Sequence, residues 1–341
     1  MMKTRTVGIL LVSALLLVLG VDWGAAPTAA SAAASEIRAQ TFKFSYPNTK
    51  TSITGIAYES FAKKVAELSG GKMTIETFPG GSLVSNAEAF DAVSLGNVDF
   101  AHFMPSNIVG TIKELTVLEI PGAVPDGKFF ELHAAMGDLI DQAFNKYGIK
   151  YCAPVEAGTA NFLSLNSFIK SPADLKGKSV RASGTWVGKA VMAWGGSPVT
   201  VALGDIATAL ERKTIEACYA GWIVSGPNKI YEAAPYVTWS SIHEAPTGFM
   251  MNLNRWNRLN AAEKAVLQAG IDNFLKEIFD LAAVQVESIK KAVIDSGGYN
   301  YVLSAEEDAQ FLAVTAALVQ EARGISGELG NKIIDAIASV K

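Results

Sequence analysis

The stretch from Ser171 to Trp222 constrains the fold more than any other part of this chain. Ser171-Pro172 opens a turn and Gly177 ends the short segment behind it. Lys178 to Ala182 then reads as a strand, Ser183 to Trp194 as a helix stopped by Gly195-Gly196, and Pro198 to Val201 as a second strand. Gly204-Asp205 starts another helix with Ile206, Ala209 and Leu210 on one face, and Ile215 to Ala220 reads as a third strand. Strand and helix alternating in this way predict a mostly parallel sheet, with ligand chemistry at the carboxyl ends of its strands. Arg181 falls at such an end among small residues. A guanidinium in a cleft requires an anion, because an unpaired buried charge is costly.

Further along and further back, the same alternation continues. Thr41 to Tyr46 and Met73 to Phe78 read as strands, and Ile56 to Leu68 carries Phe61, Val65 and Leu68 at helical spacing before Gly70-Gly71. Asn86 to Leu95 reads as a helix that leads through Gly96-Asn97 into a strand at Val98 to Phe103. This helix-turn-strand unit, 89–103, aligns with 206–220, which predicts similar architecture in two lobes. Phe129 to Tyr147 is an amphipathic helix, Ile149 to Val155 a strand, and Phe162 to Leu165 another. Tyr236 to Trp239 and Gly248 to Leu253 are further strands. Asn260-Ala261-Ala262-Glu263 resembles a capping box. It opens an apolar stripe that runs to Gly297-Gly298, a helix of ~45–50 Å that can brace both lobes.

With 341 residues, half of them hydrophobic, the chain can bury one large core or two ordinary ones. A net charge of −4 and no basic run interleaved with aromatics argue against nucleic acid. Lys3 and Arg5, an apolar run from Val7 to Val21 and the small residues through Ala32-Ala33-Ala34 predict a signal peptide over 1–34 and export to the periplasm. Cys152 and Cys218 are too few for a disulfide framework and read as small buried thiols, with pairing in an oxidising compartment the alternative. His102, His133 and His243 have no metal-ligand spacing, so neither metal nor cofactor is expected.

These residues resemble the DctP-type solute-binding proteins of TRAP (tripartite ATP-independent periplasmic) transporters over roughly residues 41 to 325. The resemblance is carried by Phe61 to Lys72, by Phe78-Pro79-Gly80-Gly81-Ser82-Leu83 and by Leu95-Gly96-Asn97-Val98-Asp99-Phe100. Most specific is Ser171-Pro172-Ala173-Asp174-Leu175-Lys176-Gly177-Lys178-Ser179-Val180-Arg181, which matches the family's P-x-D-L-K-G-x-x-x-R; His243, Asn252, Trp256 and Leu259 fit a later pattern. The resemblance implies an α/β, periplasmic-binding-protein-like fold: two α/β lobes joined by β-strand hinges, with one long helix across both. The lobes are expected at 36–157 plus 246–285 and at 158–245 plus 286–341. It also implies a monomer that captures a small organic anion and delivers it to the small and large TRAP membrane subunits.

By the same resemblance, Arg181 matches the arginine that pairs with the ligand's carboxylate, a role its planar fork suits. The chain departs from the pattern elsewhere. The second arginine that sugar-acid binders place after Gly158-Thr159 is Ala160, a usual Asp-Gly is Glu216-Ala217, and a frequent asparagine is Ala220. Trp186, Tyr219 and Trp222 are candidates for the cleft, with core packing the alternative, and would suit a ligand less polar than a sugar acid or one carrying a ring. Tyr46, Asn86, Phe103, Ser106 and Asn107 are first-lobe candidates on loops that follow strands. The competing class is a secreted α/β enzyme acting on a small organic acid. It lacks a G-x-S-x-G elbow, and Pro172 stands where Gly177-Lys178-Ser179 would need the first glycine of a phosphate loop.

Overall fold

A computed structural model describes residues 36–125, 128–155, 159–243 and 246–340; the predicted signal peptide lies outside them. Eleven strands are described: β1 Gln40–Ser45, β2 Met73–Phe78, β3 Phe100–Phe103, β4 Ile149–Val155, β5 Thr159–Ser164, β6 Ser179–Ala182, β7 Ser197–Thr200, β8 Ala217–Gly221, β9 Tyr236–His243, β10 Thr247–Asn252 and β11 Tyr299–Val302. They form two sheets, ordered β2-β1-β3-β10-β4 and β11-β9-β5-β8-β6-β7. Each sheet is the centre of one α/β lobe.

The lobes share one wiring plan. In the first, β1 pairs in parallel with β2 and β3, and β10 runs antiparallel to β3 and β4. In the second, β6 pairs in parallel with β7 and β8, and β5 runs antiparallel to β8 and β9. The helices α2 (Ala89–Leu95) and α5 (Ile206–Glu211) feed the corresponding strands β3 and β8, as the alignment of 89–103 with 206–220 predicts. Two direct strand-to-strand passages join the lobes, from β4 to β5 and from β9 to β10. The antiparallel strand of each sheet is therefore the one that has just crossed over.

Sequence dictates the local elements plainly. In β1 the alternation buries Phe42 and Phe44 while Thr41 and Lys43 face solvent. Helix α1 (Ile53–Leu68) is capped by the Ser52 side chain, which accepts from the Gly55 N–H, and it buries Ile53, Ala57, Tyr58, Phe61 and Val65 along one face. Phe44 packs against Tyr58, Phe61, Phe100 and Phe249, with ring centroids 4.5–6.3 Å apart.

The long helix follows at Ala261–Asp295; α3 (Phe129–Asn145) and α4 (Thr185–Ala193) precede it, which makes it α6. It contacts α1 and β4 of the first lobe and β11 of the second. Its approach to α1 is close at Gly270, where a Cβ would stand 2.7 Å from Val65 Cγ2. After it come α7 (Ala305–Ile325), packed on α4 and β9, and α8 (Gly327–Ser339), packed on α3 and on the 3-10 segment Lys113–Glu119. The chain end thus turns back onto the first lobe, where the expected boundaries placed all of 286–341 in the second. Cys152 and Cys218 are buried on different sheets and are not paired with each other, and burial pushes the Cys152 thiol upward.

The first described residues are tied to the start of α6. Arg38 makes a forked pair with Glu263, Nε to Oε1 at 2.8 Å and Nη2 to Oε2 at 2.5 Å. Glu263 also closes the capping box with Asn260. The Arg38 guanidinium holds the Glu263 carboxyl at about 2, below its ordinary 4.5. A depressed carboxylate stabilises the fold above its unfolded value and loses that contribution as pH falls through its folded value. Glu263→Gln is therefore expected to melt below wild type at pH 7, with the gap narrowing as pH falls from about 4.5 towards 2. A constant gap in thermal melts across that range would show that the charge has no part in it.

Candidate functional site

Between the lobes lies a cavity with about 710 Å³ of empty space, its open mouth included. The first lobe lines it with Asn48 after β1, Thr54 in the first turn of α1, His102 on β3, and Met104, Pro105 and Ser106 behind β3. The second lines it with Arg181 and Ser183 from β6 onward, Leu203 after β7, and Ile223 and Val224 after β8. Val155 and Thr247 close the base beside the two crossovers. Because β1 corresponds to β6 and β3 to β8, equivalent strand ends face each other across the cleft. This is where open sheets of this topology bind ligands.

Arg181 is 7% exposed. Its Nε and Nη1 reach the carbonyls of Val201 and Tyr219, both at 3.4 Å, distances at which little hydrogen-bond energy is gained. Among the described residues no carboxylate forms an ion pair with it. Opposite it, three polar atoms are buried without a hydrogen-bond partner: Asn48 Oδ1, Thr54 Oγ1 and His102 Nε2. The other ring nitrogen of His102 lies 2.8 Å from the Tyr58 hydroxyl. Burial pushes His102 down to about 3, so the imidazole is neutral at any physiological pH. Met104, Pro105, Val155, Leu203, Ile223 and Val224 form an apolar flank, and Ser106, Ser183 and Thr247 complete the lining. The arrangement offers one cation, a few neutral hydrogen-bonding groups and an apolar flank.

Of the nine candidates named from sequence, Arg181 and Ser106 line this cavity. Trp186 is 4% exposed and sits in the first-lobe hydrophobic cluster, with Lys189 Nζ 4.0 Å above its ring. Tyr219 is wedged between Phe162 and Trp194, and its carbonyl accepts from Arg181. Trp222 is buried in the core that adjoins α6, and the two residues behind it reach the cleft instead. Tyr46 donates to Glu59 at 2.7 Å, and Phe103 packs on Phe144 and Tyr151. Asn107 is exposed and donates to the Asn86 carbonyl at 3.2 Å, away from the cavity wall. Ala160, at the position of a second arginine, is fully buried in the second lobe's core. Strand parity explains several of these: neighbours on a strand face opposite sides, so Phe103 enters the core where His102 enters the cleft.

One contact ties the lobes together beside the cleft. Glu119, at the end of the 3-10 segment, accepts from the Trp186 N–H at 3.1 Å and caps α4 from across the lobe boundary. Its Oε2 is buried without a partner, and burial pushes its carboxyl up to about 7 although the Trp186 and Val187 N–H groups favour the charged form. Residue 184 has to be glycine here. A Cβ would stand 2.2 Å from Glu119 Oε1 and 2.8 Å from Ser106 Cβ. Among the described residues no cluster of His, Cys, Asp and Glu has metal-binding geometry, and no helix is long and apolar enough to cross a membrane.

Comparison with known proteins agrees with this fold. The solved structure of a TRAP periplasmic solute-binding protein from Roseobacter denitrificans with bound β-D-glucuronate superposes with a TM-score of 0.81 at 20% identity, covering 89% of this chain and all of that one. A counterpart from Sulfurospirillum deleyianum with bound succinate gives 0.77 at 20%, covering 88% and 99%. In sequence, the chain is 28% identical over 272 residues to the monocarboxylate 2-oxoacid-binding periplasmic protein of a Nostoc species, 75% of this chain and 72% of the relative. It is 24% identical over 224 residues to the 2,3-diketo-L-gulonate-binding periplasmic protein of Escherichia coli K12, 65% and 68% respectively. Residues 44–324 match the profile of DctP, bacterial extracellular solute-binding protein family 7, and the chain belongs to that family.

Proposed function

We propose that this protein captures a small organic acid between its two lobes and delivers it, in the periplasm, to a TRAP membrane transporter. The observation that carries this reading is the buried Arg181 guanidinium facing an interlobe cavity with no carboxylate ion-paired to it among the described residues. A charge so placed is stable only when a bound anion completes it. Its planar fork suits two carboxylate oxygens at once. Val155 at the end of β4 and Thr247 at the start of β10 line the cavity, so bending at the passages β4 to β5 and β9 to β10 would open and close it. Relatives and structural neighbours that bind glucuronate, succinate, 2-oxoacids and diketogulonate support an acid as the ligand.

Binding without turnover fits the same walls. Arg181 and His102 are the ionisable side chains among the described lining residues, and His102 stays neutral. Acid–base chemistry would need a group that titrates near the working pH. A thermal-shift screen of mono-, di- and sugar acids tests the proposal. An acid present at a hundred times its dissociation constant is expected to stabilise the protein by about 2.7 kcal/mol. A melt moved by neutral sugars or peptides, and by no acid, would overturn it.

A further inference from the structure

The reading as an organic-acid receptor leaves the acid's class open, and the first-lobe wall narrows it. We propose that the Tyr58–His102 pair is a specificity device that selects monocarboxylic acids carrying an additional uncharged hydroxyl or carbonyl oxygen and an otherwise apolar body. The inference rests on that reading and on three observations at the cavity.

The first is the tautomer of His102. The Tyr58 hydroxyl is fully buried and its hydrogen-bond partner is His102 Nδ1, 2.8 Å away. If Nδ1 carried the proton, the tyrosine O–H would be left buried with nothing to accept it. Tyr58 therefore donates, Nδ1 accepts, and the ring's proton sits on Nε2. Tyr58 is held for this task by stacking on Phe274 of α6, with centroids 5.1 Å apart and planes 9° apart. The result is a neutral N–H donor, 97% buried with its residue and without a partner, on the cavity wall. A ligand oxygen has to accept from it.

The second is the charge count. Arg181 is the cation of the described lining, and the internal residues outside the description, Asp126, Gly127, Glu156, Ala157, Gly158, Glu244 and Ala245, include no lysine or arginine. A dicarboxylate would bury its second charge without a counter-ion, so the oxygen that meets His102 is uncharged. Burial pushes His102 well below the range in which it could turn cationic and serve a second carboxylate. The third is the wall itself. Thr54 Oγ1 and Asn48 Oδ1, with the lining residues Ser106, Ser183 and Thr247, can serve a few more polar atoms, whereas the flank of Met104, Pro105, Val155, Leu203, Ile223 and Val224 would desolvate any ligand hydroxyl turned towards it without replacing its water.

The test is isothermal titration with five- and six-carbon monocarboxylates, each beside its 2- or 3-hydroxy and oxo partner, together with succinate and glucuronate. At least one oxygenated acid is expected to bind about tenfold tighter than its deoxy parent, the worth of one hydrogen bond. Succinate and glucuronate are expected to bind more weakly than that acid. His102→Leu should erase the oxygenated-over-deoxy preference. His102→Gln, which keeps an N–H near the Nε2 position, should restore part of it, and Tyr58→Phe should reduce it by releasing the tautomer. Nitrogen-15 spectra of wild-type His102 should show the Nε2–H form, with Tyr58→Phe shifting the balance. Acids that bind in an Arg181-dependent way with no such preference, or with one that survives His102→Leu, overturn this inference and leave the receptor reading intact. If no acid binds, both fall.

Discussion

Replacing Arg181 by alanine is expected to weaken binding of the cognate acid by about 2–5 kcal/mol, roughly thirty- to several-thousand-fold. The size follows from burial. At 7% exposure the guanidinium meets its anion away from water, so truncation leaves the carboxylate desolvated and unpaired. Arg181→Lys keeps the charge but loses the planar fork, and is expected to recover only part of the loss. The apo protein should behave differently. Arg181 has two long carbonyl contacts and no described carboxylate to pair with, so its removal takes away a buried charge and no structural ion pair. Titration calorimetry and an apo melt of Arg181→Ala together decide the matter. Lost affinity with an apo melt no lower than wild type is the expected pair of results; an apo protein that unfolds would make Arg181 a structural residue.

Much of this architecture is legible because its signals are local. Gly177, Gly195 and Gly196 punctuate β6, α4 and β7, and the strand residues between them carry the right spacing. The Asn260–Glu263 capping box marks the start of α6 to the residue. Ser304 carries an equivalent signal: its side chain accepts from the Glu307 N–H at the start of α7. Of the site, Arg181 is legible because a charge among small strand residues is chemically conspicuous. His102 is not, because its role depends on Tyr58, 44 residues away, and on which side of β3 faces the cleft. The three aromatics near Arg181 mislead for a related reason. Large rings fill cores and clefts alike, and only the packing of Phe162, Trp194 and the first-lobe cluster around them decides the matter. Ile223 and Val224, by contrast, line the cleft with side chains that sequence alone would assign to a core.

Affinity is expected to fall as pH rises from about 5 to 8, because Glu119 holds the lobes together as a protonated or strained acid. In the arrangement described, its carboxyl is pushed up to about 7; in water the ordinary value is 4.5. A group raised in this way favours the closed form fully below the solvated value. It loses that contribution as pH climbs towards the raised one. Opening the lobes would hydrate Glu119 and release the Trp186 N–H, so closing at neutral pH requires a proton to be taken up or a charge to be buried. The expected weakening between pH 5 and 8 is on the order of ten- to a hundredfold. A ligand carboxylate is ionised throughout that range and His102 is neutral throughout it, so neither supplies the slope. Glu119→Gln keeps an oxygen for the Trp186 N–H and removes the charge. It should bind at pH 8 at least as tightly as wild type and show little pH dependence. Titrations of both proteins at pH 5.5, 6.5 and 8 settle it. A slope that persists unchanged in Glu119→Gln would move the titrating group elsewhere and reduce the Glu119 contact to a helix cap.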